Sequence, residues 1–375
     1  MDNVSLFRQA AEGTRIVLKP DWFVLSDGTA AAVPSLMDGK RLSDAARVKV
    51  FIDHETPCGS EAVAALQRRL IRFAQSENCQ LFNGYGVSYQ LMLDEFVRPG
   101  HLVVHCGDFG SIYGSKGALA LKLTPKEMAA ALESGEISVA VPNAISLKVV
   151  GQLAAPACAK DAALTALAKL GDLKGKILLV SGTGLEGLDA AERTAFYQML
   201  SASNCVAALP GQEDAQPVEL DLTAVVPTVS GPNDTGKAVP AAQLTNTAVT
   251  AVFIGGCSAG RIEDIRKAAA IAKGKKVARK VRTMIAFATT EVYVQAANEG
   301  LIDILLDAGA LVMNQGCSAC YAHSQGLVDG KDIVLSAGSR NCPNCNGEGD
   351  ATTYLCSAAT AMASAIAGHI CPAEA

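Results

Sequence analysis

The chain has 375 residues, half of them apolar and 18% charged, with a formal net charge of −5 at neutral pH. That length predicts two or three lobes rather than one core. The interspersed charges and the 5% aromatic content argue against a nucleic-acid surface, and no apolar run nears the roughly 20 residues of a membrane helix. The polar start MDNVSLFRQAAEG lacks the apolar centre of an export signal, so a cytoplasmic protein with no membrane partner is expected.

Short apolar runs alternate with amphipathic segments, the pattern of α/β proteins with parallel strands. Thr124-Pro125-Lys126-Glu127 is a capping box with proline at the first helical position, and it predicts a helix that stops at Gly135. Residues 177–180 read as a strand, and Asp189 as the cap of the next helix. Between them Gly182-Thr183-Gly184-Leu185-Glu186-Gly187 spells G-x-G-x-x-G. The helix cap follows the third glycine, however, and no acidic residue closes the next strand at 205–209, so this is a turn rather than a nicotinamide site. Residues 210–243 change to Pro, Asp, Thr and Gly and predict a linker. Beyond it come a buried strand at 252–254, a helix at 261–273 closed by Gly274, a second strand–helix pair capped by Thr289 or Thr290 and stopped by Gly300, and an alanine-rich helix at 358–367.

The twelve cysteines sit in a large chain without an export signal, which favours metal or reactive thiols over disulfides. Cys79, Cys158, Cys205 and Cys356 stand singly in apolar or mixed stretches and read as packing residues. Gly256-Cys257-Ser258-Ala259-Gly260-Arg261 is different, because Gly316-Cys317-Ser318-Ala319-Cys320 follows some 60 residues later. A C-x-x-C turn presents two thiolates to one centre, and the third comes from the loop after the 252–254 strand. Three thiolates suit an iron–sulfur cubane. A closed zinc site needs a fourth ligand, and the nearby histidine, His323, follows Cys320 with only two residues between. Spacing alone leaves an iron–sulfur cluster, zinc and unliganded thiols all open.

The runs VFIGGCSAGRIEDIRKAA, NQGCSACYA and SAGSRN resemble the aconitase superfamily, closest to the large subunit of isopropylmalate dehydratase. Weaker likeness extends through FIDHETP, NGYGVSYQ, RPGHLVVHCGDFGSIYGSKGALAL, LDAAERTAFYQML and VVPTVSGP. The resemblance implies three α/β/α lobes around the cluster, placed at 1–150, 151–243 and 244–375. It implies a [4Fe–4S] cluster on Cys257, Cys317 and Cys320, with one iron free to act as a Lewis acid. By the same resemblance Asp53, His54 and Asp108 are catalytic, and Arg340 with Asn341 holds a substrate carboxylate.

The match breaks in places. Family histidines fall on Tyr89 and Tyr113, the loop Gly107-Asp108-Phe109 has one residue fewer, a glutamate falls near Ala202, an asparagine on Ala259, and a second arginine on Cys345. Cys345 belongs to a further C-x-x-C with Cys342. It could line a pocket for an unusual substrate, become a fourth cluster ligand, or simply pack. The chain contains no counterpart of the mobile swivel domain, so a separate small subunit is expected. The leading expectation is an iron–sulfur hydro-lyase acting on a small hydroxy acid or unsaturated acid. The alternatives are a cluster protein with a redox or sulfur-handling role, and a zinc-stabilised or metal-free scaffold.

Overall fold

The computed structural model describes residues 2–211, 216–321, 324–343, 345, 349 and 351–374. Three parallel or mostly parallel sheets organise the chain. The first has five parallel strands in the order Gln80–Asn83, Val48–Ile52, Trp22–Ser26, Leu102–His105, Leu119–Lys122. The second has four: Ala207–Pro210, Ile177–Ser181, Ala144–Val150, Val218–Asp221. The third has seven, in the order Ala238–Pro240, Thr228–Ser230, Thr352–Leu355, Ile333–Ser336, Ala251–Ile254, Arg282–Ile285, Leu311–Val312. Its Thr228–Ser230 strand runs antiparallel to both neighbours.

Local chemistry explains most of the helix ends. Thr124 caps Pro125–Ser134 with the reciprocal Glu127 bond, and Gly135 closes it at φ 76°. Asp189 and Glu192 form the same box at the start of Ala190–Leu200. Thr289 caps Thr290–Asn298. At the G-x-G-x-x-G segment the helix begins after the third glycine, and Gly182 is needed for another reason. Its φ is +110°, and a Cβ there would lie 2.1 Å from the Val149 carbonyl oxygen.

The segment expected as a linker contributes strands to two sheets. Val218–Asp221 pairs with Ala144–Val150 in the second sheet, and residues 228–240 form an antiparallel edge of the third. These strands have three or four residues each, too few to show a two-residue period among prolines. Ala144–Val150, before the expected boundary at 150, also belongs to the second sheet.

The strand ends matter most for function. Asp27 follows the carboxyl end of Trp22–Ser26, Asp53 and His54 follow Val48–Ile52, Cys257 follows Ala251–Ile254, and Arg340 follows Ile333–Ser336. Parallel sheets gather their ligand-bearing loops at this edge. The first two lobes meet where the short helix Gly110–Lys116 packs on Ala190–Leu200. A Cβ at Gly114 would lie 2.1 Å from the Ala208 carbonyl oxygen and 2.8 Å from the Tyr197 ring. Gly114→Ala is therefore expected to cost about 2 kcal/mol or more in urea unfolding. An unchanged midpoint would mean that the two lobes are free to move apart at this seam.

Candidate functional site

Close backbone approach sets the position of Cys257. Gly255 lies against Ala286, and Gly256, at φ +66°, would place a Cβ 3.3 Å from that of Cys320. The Cys317 amide donates to the Asp53 carbonyl at 3.1 Å, which ties the C-x-x-C turn to the first sheet. Ser339 Oγ sits 3.6 Å from Cys257 Sγ and 3.9 Å from Cys320 Sγ. Gly338 leaves room for this, since a Cβ there would be 3.3 Å from Cys320 Sγ. All three cysteines are buried. Burial, followed by the neighbouring Cys320, pushes the Cys257 thiol up to about 11. Burial, Asp53 and the other two sulfurs push Cys317 well above its ordinary value. Burial likewise raises the packing thiols Cys158 and Cys356, and any of these thiols ionises readily only with a cation beside it.

Among the described residues, Asp53, His54 and Cys317 bring ligand atoms within 4.8 Å of one another. In that trio His54 Nδ1 already faces Asp53 Oδ1 at 2.7 Å and Ser26 Oγ at 3.2 Å. His323, weighed as a fourth ligand, lies outside the described residues.

The buried Asp53–His54 pair has a third member that sequence reading missed. Asp27 Oδ1 accepts the amides of Gly28, Asp53 and His54 at 3.0, 3.2 and 2.9 Å, and its Oδ2 accepts Glu55 N and Gln67 Nε2. Its signal in the sequence is an acid directly after the apolar run of a strand. Asp53 Oδ2 accepts the Ser88 amide at 2.7 Å. Burial alone opposes a charge on His54, but Asp53 and Asp27 outweigh it and push its pKa up to about 10. Burial raises Asp27 while the His54 interactions lower it more, so its carboxyl stays well below the usual range. Tyr321 stands edge-on to the imidazole at 5.0 Å, with its hydroxyl donating to Gly28 O.

Arg340 lies over the Phe109 ring at 5.3 Å and the Tyr321 ring at 5.9 Å. Burial works against its charge, but the Cys320, Cys317 and Cys257 sulfurs more than compensate and raise its pKa. Its Nε is buried without a partner, a donor left for something the chain does not supply. Asn341 is buried and donates to Ser230 O at 3.3 Å. Asp108 is more than half exposed and pairs with Lys122, outside the buried Asp27–Asp53–His54 group. Cys345 is buried, with its sulfur beside that of Cys342. Tyr89 and Tyr113 are buried, and with Phe109 and Ile112 they form one apolar wall that includes Cys257 and Cys317. The Tyr89 hydroxyl accepts the Phe109 amide at 3.3 Å, and burial holds its proton firmly. Behind it, burial pulls His105 down to about 4 and keeps it neutral.

The carboxyl edges of the parallel sheets thus bring Cys257, Cys317, Cys320, Arg340 and the Asp27–Asp53–His54 group into one buried region. The Aconitase family (aconitate hydratase) matches residues 29–209 and 237–368, and the chain belongs to that family. It is 30% identical to the 3-isopropylmalate dehydratase large subunit 2 of Archaeoglobus fulgidus, over 96% of this chain and 94% of the relative. It is 31% identical to the homoaconitase large subunit of Thermus thermophilus, over 88% and 84%. Relatives so named are hydro-lyases, and this chain is an enzyme of that class. Thermococcus kodakaraensis aconitase X shares the fold at a TM-score of 0.55 and 11% identity, over 90% of this chain and 87% of that one. Among the described residues, no helix is long and apolar enough to cross a membrane.

Because the folded-state pKa of His54 is raised from about 6.5 to about 10, its charge contributes stability that is complete below pH 6.5 and lost as pH rises through 10. Asp27→Asn is expected to lower the His54 pKa by about one unit or more in an NMR titration, and to flatten the fall in melting temperature over that window. An unmoved imidazole would remove Asp27 from the centre.

Proposed function

We propose that the chain is the cluster-bearing subunit of a cytoplasmic iron–sulfur hydro-lyase that interconverts a small hydroxy acid and its unsaturated acid. The observation that carries this reading is the buried set of Cys257, Cys317 and Cys320 close to Arg340, whose Nε has no partner among the described residues, in a chain of the Aconitase family. These cysteines would hold a [4Fe–4S] group, which supplies Lewis acidity toward the oxygens of the hydroxyl to be lost.

The chain's own residues divide the remaining work. Arg340, fixed between two aromatic faces, binds the carboxylate, and Asn341 braces its loop against Ser230. His54, kept protonated by Asp53 and Asp27, gives its proton to the departing hydroxyl. Tyr89, Phe109 and Tyr113 exclude water from the thiol side and favour a substrate with an apolar body. Asp108, paired with Lys122 at the rim, acts on the approach of substrate or partner rather than on the buried centre. Cys345, beside Cys342, stands where the family has a second arginine and offers no guanidinium, so fewer carboxylates are gripped from this side. The base that takes the carbon-bound proton comes from a separate small subunit, a reading supported by the name "large subunit" that the relatives carry.

Replacing Cys257, Cys317 or Cys320 by serine should abolish the visible iron–sulfur absorption of anaerobically purified protein, whereas Cys79→Ser should leave it. Stoichiometric zinc without iron would defeat the reading. Adding the small subunit should raise hydratase turnover by about 10²–10⁴-fold, the usual worth of a positioned acid or base. Full turnover by the cluster-loaded chain alone would contradict the two-subunit arrangement.

A further inference from the structure

The middle lobe sends one charged side chain beneath the thiol site. Lys160, in the first turn of helix Ala159–Leu170, is 4% exposed. Its Nζ donates to Ser258 Oγ at 2.8 Å, to Gly338 O at 2.7 Å, and to Ala337 O. Ser258 follows Cys257 in the chain. Gly338 precedes Ser339, whose hydroxyl faces both Cys257 and Cys320, and Arg340 comes next. One ammonium thus joins the loop that carries a thiol to the loop that carries the carboxylate-binding guanidinium.

Both loops lack other strong ties at these atoms. Ala337 N is held by Phe253 O and Gly338 N by Ser336 Oγ, but their carbonyls turn to Lys160. Ser258 Oγ otherwise meets only the Met199 sulfur. The helix is anchored from its other side by Asp161, whose buried carboxylate accepts Thr228 N from the third sheet and Cys158 N at its own cap, both at 2.9 Å. Two adjacent residues of opposite charge therefore grip different parts of the third lobe. A buried ammonium with three oxygen partners orients those groups more sharply than neutral contacts do. Removing it would leave two buried carbonyls unpaired.

We propose that Lys160 is a positioning residue that fixes the Cys257–Ser258 turn and the Ala337–Arg340 segment relative to each other from the middle lobe, so that the guanidinium and the thiols keep their register. It touches neither substrate nor metal, and acts through Ser258 and the 337–338 carbonyls.

Amide hydrogen exchange on the full, anaerobically purified chain tests this independently of activity and of the metal bound. In Lys160→Met, exchange within 256–260 and 337–341 is expected to rise about tenfold or more while the first-lobe strands keep wild-type protection. Iron release to a chelator from the reconstituted protein should accelerate by a similar factor. Ser258→Ala, which removes one contact, should loosen 256–260 alone and settles the matter if Lys160→Met does not fold. Wild-type protection of both loops in the methionine variant would overturn the proposal, as would a uniform rise across the chain, the mark of a purely structural lysine. If zinc or no metal is found, the hydro-lyase reading fails while the exchange result still decides the role of Lys160.

Discussion

Three buried thiols, Cys257 and Cys317 in one apolar cluster and Cys320 in the next, repel one another once ionised, and the surrounding structure answers that constraint. Burial first, then neighbouring charges, raise Cys257 and Cys317, so a thiolate there is costly unless a cation stands beside it. The neighbours are arranged accordingly. Arg340 gains proton affinity from the sulfurs below it, Ser339 offers one hydroxyl to two of them, and glycines occupy the points where any side chain would press on Cys320. Cations and small residues thus line one side of the triangle, and aromatic rings line another.

The acid–base pair beside it rests on a different device. Asp27 binds no sulfur, yet it accepts three amides and a glutamine side chain in addition to Gly28 N. A carboxylate satisfied by so many donors keeps its charge in a buried place. That fixed charge, added to Asp53, maintains the imidazolium of His54 against the cost of burial. The donor character of the histidine is therefore a property of two successive strand ends rather than of the histidine itself.

Much of this was legible in the chain's letters where a local rule applies. The capping boxes at Thr124 and Asp189, the strand before Cys257 and the two cysteine turns follow from short-range chemistry. The three- and four-residue strands at 218–240 do not, because their pairing depends on partners far away in sequence. Asp27 and Lys160 stayed hidden for the same reason: each is an ordinary charged residue until folding surrounds it with carbonyls or amides. Asp108 shows the converse. The resemblance made it catalytic, and in the fold it is more than half exposed and paired with Lys122.

The bond from the Cys317 amide to the Asp53 carbonyl also bears on the order of biogenesis. Synthesis proceeds from the N-terminus at about 5–20 residues per second, so the loop that carries Asp53 leaves the ribosome some tens of seconds before the C-x-x-C turn. The first sheet, with Asp27 already knotted at its edge, can be in place as a template when the last thiols arrive. On the proposed reading, metal loading would be a late, post-translational event on a nearly finished scaffold, and a nascent chain stalled before residue 317 would present the histidine group without the C-x-x-C turn beside it.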